Sequence, residues 1–129
     1  MKKYLRLIIV LIAILTIISG LVQMLSPSLV LKLVGGDITA STNHLFAIVG
    51  MFMFLFGGLL LHSLYSVYNN RIVVLWCGLQ KLGASVAVFI AIEKHLFMPV
   101  AALVAGFDLL SAVLFFMYYK TIGSLQNTV

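Results

Sequence analysis

"IVVLWCGLQKLGASVAVFIAI", residues 72–92, is a run of 21 residues with a single fixed charge, Lys81, near its middle. A helix needs about 20 predominantly apolar residues to cross the hydrocarbon core of a bilayer. An open sheet is excluded there because its edge N–H and C=O groups would go unpaired in lipid. A barrel strand is excluded because polar and apolar residues do not alternate along the run. The stretch therefore reads as a transmembrane helix, and the rest of the chain has to account for its lysine.

Three more runs have the same character: "LRLIIVLIAILTIISGLVQML" at residues 5–25, "HLFAIVGMFMFLFGGLLLHSLYSVY" at 44–68 and "VAALVAGFDLLSAVLFFMYY" at 100–119. The 129-residue chain is 64% hydrophobic and 9% charged, with mean hydropathy +1.23. Soluble domains carry roughly 25% charged residues, so this chain lacks the polar surface to face water all round. The expected fold class is an all-α, polytopic membrane protein of one domain, an antiparallel bundle of four transmembrane helices. The connections "NNR" and "EKHLFMP" are short, which makes consecutive helices antiparallel neighbours. The basic start "MKKYLR" suggests a signal peptide, but the apolar run is too long and no small-residue cleavage site follows, so a retained helix is expected.

Between the first two runs lies "SPSLVLKLVGGDITAST". Pro27 suits a first helical turn, Leu29, Val30, Leu33 and Val34 recur at helical spacing, and Gly35-Gly36 ends the pattern. A short amphipathic helix over about 27–34, lying in the interface, is the reading. Ser41 or Thr42 is the expected cap of the next helix.

The net charge of +5 does not point to nucleic acid. Lys2, Lys3, Arg6, Arg71 and Lys120 fall at ends of apolar runs, and no basic face with interleaved aromatics exists. Placing the N-terminus in the cytoplasm puts those five inside and only Lys32 and Lys94 outside, so both termini are expected to be cytoplasmic, in a cell (inner) membrane. Tyr4, Tyr65, Tyr68, Tyr118 and Tyr119 then form an aromatic belt at the cytoplasmic face.

Asp108 is the other ionisable group deep in an apolar run. Lys81 lies 15 residues before Leu96, the middle of the connecting turn, and Asp108 lies 12 after it. At about 1.5 Å per residue the two fall within one helical turn in depth. A lone charge at mid-bilayer costs about 2.5–3.5 kcal/mol on insertion scales, so opposite charges at matched depth imply a partnership. Cys77, Gly78, Ala84, Ser85 and Val88 flank Lys81, while Ala101, Ala105 and Ala112 flank Asp108. Small residues at such spacing let backbones approach. Gly50 and Gly57 are expected on the same seam. Two roles stay open for the pair: an ion pair that fixes helix register, or a ligand or proton site. Gln80, Ser85 and His62 are the further candidate site residues.

No metal site is expected. Cys77 is the sole cysteine, no paired ligand spacing occurs, and His44 and His95 have only Glu93 near in sequence as a supporting carboxylate. No metalloprotease, phosphate-loop, nucleophile-elbow or dinucleotide motif occurs, and "MFMFLF" reads as packed or lipid-facing surface.

The layout resembles the DoxX-like group of small four-helix bacterial membrane proteins. The resemblance rests on the basic N-terminus, the proline-started segment at 26–34, Gly50, Gly57 and Gly58, the pattern W-x-x-x-x-K-x-G-A at 76–84, and Asp108 in "GFDLLSA". It implies a role of the kind described for that group, as a subunit of a quinone-linked oxidoreductase or as a protein of unknown role; no cofactor is expected, and a quinone or a lipid is the candidate ligand of the Lys81/Asp108 site. Small multidrug transporters are similar to it in size, but their glutamate inside helix one is replaced here by Thr16, Ser19 and Gln23 alone. Three classes follow: an accessory or ligand-binding membrane subunit in a homo-oligomer or larger complex, a small-solute transporter acting as an oligomer, and an intramembrane lipid- or quinone-binding enzyme. The topology is tested by single cysteines in a Cys77-free background. Asp37→Cys and His95→Cys are expected to react with an impermeant maleimide from outside, and Asn70→Cys is not; the reverse pattern overturns the orientation.

Overall fold

Ser26-Pro27 and Gly35-Gly36 bound a helix, as their residue types predict. The computed structural model of the protein describes residues 2–67 and 71–126, and in it helix α1 spans Lys2–Leu25 and α2 spans Pro27–Val34. Gly35 sits at φ +76 with its N–H on Lys32 O, and Gly36 N–H bonds Leu31 O at 2.9 Å. This closing motif needs a left-handed residue that glycine supplies without a Cβ penalty. Leu31 and Val34 are buried and anchor α2 to the bundle.

Helix α3 spans Ala40–Tyr65, starting before the expected 44 and ending before the expected 68. Thr39 takes the cap: its hydroxyl accepts from Thr42 N, and the Thr42 hydroxyl accepts from Thr39 N at 2.8 Å. Thr42 is thus the partner in a capping box rather than the cap itself, and Ala40, Ser41, Thr42 and Asn43 extend the helix ahead of its apolar run. Tyr68 and the connection at 69–70 lie outside the described residues, as does the Lys2 side chain. Helix α4 spans Arg71–Glu93, a single 3-10 turn spans Pro99–Ala101, and α5 spans Ala102–Gln126. The four long helices are each long and apolar enough to cross a membrane, so the chain is an all-α four-helix bundle of membrane type.

The helices pack as two hairpins, α1 with α3 and α4 with α5. One heptad ladder builds both. In the first, Arg6 donates to Leu64 O at 2.6 Å, Ala13 faces Gly57, and Gly20 faces Gly50. A Cβ on Gly20 would lie 2.7 Å from Gly50 O and 2.5 Å from Phe54 N, so only hydrogen fits there. In the second, Arg71 donates to Tyr119 O at 3.3 Å, Gly78 lies against Phe115 and Phe116, and Ser85 Oγ donates to Ala105 O at 2.9 Å. The partners run in opposite directions along the chain, which fixes both hairpins as antiparallel. A small residue every seven positions suits the shallow left-handed crossing of close-packed membrane helices. Each arginine also lies over a tyrosine ring, Arg6 over Tyr65 at 5.0 Å and Arg71 over Tyr119 at 4.0 Å. The Arg6 guanidinium thereby bonds a last-turn carbonyl of α3 and meets the negative end of its helix dipole.

The apolar core lies toward this arginine end, with Ile9, Ile12, Ala13, Leu60, Val74, Cys77 and Phe115 buried together. At the opposite end, Met98 N–H bonds Val34 O at 2.8 Å, and Phe46 meets Phe97 edge-on, tying α2 and α3 to the turn before α5. Gly50→Ala is expected to destabilise the chain by about 1–3 kcal/mol, because its Cβ would meet backbone 2.6 Å away at Met24 N. Gly106→Ala, with open space around it, is expected to leave the melting temperature unchanged or raise it. Thermal melts of both variants in one detergent check the contrast.

Candidate functional site

Small residues bring α4 and α5 together at the depth of the two charges. Cys77, Gly78 and Ser85 on α4 are buried, as are Ala101 in the turn before α5 and Ala105 and Ala112 on α5. Within that close contact Lys81 Nζ reaches Asp108 Oδ1 at 3.0 Å, with the two side chains 6% and 12% exposed. The Phe107 ring centre lies 5.5 Å from Nζ, a further electrostatic contact for the ammonium. The expected partnership is therefore present as a direct ion pair.

The pair is not enclosed by protein. It forms part of the wall of a cavity of about 500 Å³, a volume in the usual range for small-molecule sites. Helix α1 contributes Thr16, Ser19 and Gln23, α2 contributes Val30 and Leu33, and α3 contributes Met53. Gln23 is fixed by its Nε2, which donates to Phe46 O at 3.0 Å. The rim consists of Ile18 and Val22 on α1 and Leu103, Val104 and Phe107 on α5, all exposed at the protein surface. The cavity thus opens sideways between α1 and α5, beneath α2, and the core at the arginine end closes it below. A separate void of about 10 Å³, room for one water, lies behind Lys81 among Thr16, Gly57, Gln80 and Phe115.

Of the other expected site residues, Gln80 lines this small void and not the cavity. Ser85 is buried and donates to Ala105 O, so it clamps the two helices. His62 is exposed and lines a separate cleft with Leu59, Ser63, Ser66 and Val73; it is not brought to the pair. Gly50 and Gly57 face α1 rather than the Lys81–Asp108 seam, because the two hairpins pack within themselves. The pair accordingly looks toward α1, whose Thr16, Ser19 and Gln23 are the site residues that motif reading passed over. Their signal was a spacing of three and then four, which puts them on one helix face.

The ladder makes Thr16 the positional equivalent of Lys81, and Met53 that of Asp108. All four line the same cavity, so it lies where the two hairpins face each other. Compared with family models, characterised proteins and solved structures, the chain finds no match. Breaking the pair is expected to cost roughly 3–5 kcal/mol, as removal of one partner of a buried ion pair does. Lys81→Met alone is therefore expected to melt well below the wild type, with much of the loss recovered in Lys81→Met/Asp108→Leu. A single variant as stable as the wild type would contradict the burial.

Proposed function

We propose that this chain is a small multi-pass membrane protein that binds a membrane-dissolved amphiphile, whose polar head meets Lys81 and Asp108 and whose apolar part leaves between α1 and α5. The observation that carries this reading is the cavity of about 500 Å³ with the ion pair in its wall and apolar side chains at its mouth. A pair serving only helix register has no need of an adjoining ligand-sized space. A through-path for a solute is disfavoured, because the buried core from Ile9 to Phe115 lies beneath the cavity. The excess of Lys and Arg at the arginine end supports cytoplasmic termini in an inner membrane, and the cavity then opens in the outer leaflet. The DoxX-like layout supports an accessory, ligand-binding subunit of a larger membrane complex, with a lipid or a quinone as ligand.

The test is retention of ligand by the full chain after gentle extraction from its own membranes, read by native mass spectrometry. The wild type is expected to keep one small molecule per chain. Lys81→Met/Asp108→Leu is expected to stay helical and keep at least about tenfold less, the equivalent of one charge-assisted hydrogen bond. Equal retention by a folded double variant overturns the reading.

A further inference from the structure

We infer that the head of this amphiphile is neutral and carries several hydroxyl groups, as a glycerol or sugar head does. The inference rests on the proposed function and follows from counting what the cavity wall leaves unpaired. Lys81 Nζ has three N–H donors and gives one to Asp108 Oδ1 at 3.0 Å. Two donors remain. Among the described residues nothing donates to Asp108 Oδ2, so one carboxylate oxygen remains as acceptor.

Gln23 adds a second acceptor. Phe46 O can only accept, so the amide nitrogen must point at it, as the 3.0 Å bond from Nε2 requires, and Oε1 is left over. Gln23 is 7% exposed and lines the cavity, which makes that oxygen a held group rather than a loose surface one. Thr16 gives its hydroxyl proton to Ile12 O at 2.8 Å, so toward the cavity its oxygen only accepts. Ser19, which lines the same wall, has no bonded partner among the described residues and can do either.

The wall therefore offers acceptors from three residues and donors from Lys81. A complementary head must donate as well as accept, and a hydroxyl does both. A quinone carbonyl accepts only and would leave Asp108 Oδ2 and Gln23 Oε1 unpaired in a dry site, which is costly. A phosphate would accept from Lys81 but adds net negative charge beside a pair that is already balanced, where desolvation weighs against it. A trimethylammonium head brings charge and no N–H or O–H donor. Thr16 and Gln23 lie seven residues apart, roughly 10 Å along α1, so one hydroxyl does not reach both. Serving both takes separate hydroxyls of one head.

The experiment places the full chain in phosphatidylcholine nanodiscs doped with one probe at a time: 1-monooleoylglycerol, dioleoyl phosphatidic acid, or a decyl-substituted benzoquinone. Free glycerol in the buffer is a fourth arm. Retention is read by native mass spectrometry and thermal protection by a melt. The expected result is that monooleoylglycerol is retained at least about tenfold over the other two lipids, with no protection by free glycerol. Gln23→Leu is expected to abolish that preference; should it fail to fold for want of the Phe46 bond, Thr16→Val, close in shape, is expected to weaken it. Phosphatidic acid or the quinone held as well as monooleoylglycerol overturns the hydroxyl head and leaves the amphiphile site standing. Retention of none of the three, or protection by glycerol alone, overturns both. Undiminished preference in folded Gln23→Leu and Thr16→Val also overturns the head assignment.

Discussion

An ammonium and a carboxylate held 3.0 Å apart inside a helix bundle constrain everything around them. Neither charge is affordable alone in hydrocarbon, and their attraction offsets the desolvation only when the geometry is close. Close geometry demands that α4 and α5 approach until side chains nearly vanish, hence the buried Gly78 and Ser85 on one helix and Ala105 and Ala112 on the other. The arginine at the foot of α4 and the tight turn before Pro99 hold the two helices in register at either end. The pair is in this sense a condition on the packing of the second hairpin, and the packing is what keeps it paired.

The first hairpin shows what the same ladder does without a charge. Arg6, Ala13 and Gly20 repeat the roles of Arg71, Gly78 and Ser85, and Gly50 and Gly57 those of Ala105 and Ala112. Yet Thr16 and Met53 stand where Lys81 and Asp108 stand in the second. Both hairpins run the same way through the bundle, so the two halves stand as parallel repeats about an axis along the bundle. A cavity between two such halves, polar on one side through the ion pair and on the other through Thr16, Ser19 and Gln23, follows from that arrangement. The short helix α2 exists only in the first half, and it is what covers the cavity.

Much of this was legible in the chain. Four spans, the interfacial helix with its Pro and Gly punctuation, and the pairing of Lys81 with Asp108 follow from residue type and spacing, because a charge in an apolar run has few ways to be stabilised. The direction in which Gly50 and Gly57 face was not legible. Helices that are apolar all round carry no hydropathic mark of which side packs on protein and which on lipid, and two glycines seven apart name no partner. His62 misled for a related reason: depth along a helix is readable, azimuth is not. Thr16, Ser19 and Gln23 were visible but quiet, since serine, threonine and glutamine are tolerated in membrane helices for packing alone. The heptad repeat shared by the two hairpins is carried by Gly, Ala and Ser in exchange for one another, which reads as background until the backbones are placed.

The central claim is that Lys81 and Asp108 face a space that membrane amphiphiles enter. Magic-angle-spinning NMR on the full chain, labelled with ¹⁵N-lysine and embedded in ¹³C-labelled lipid extract, tests it at the atom concerned. The account predicts magnetisation transfer from lipid carbons to Lys81 Nζ, lost on filling the mouth with Val104→Trp. Transfer to Lys81 Nζ from water alone, with lipid-carbon transfer confined to the other lysines, would contradict it.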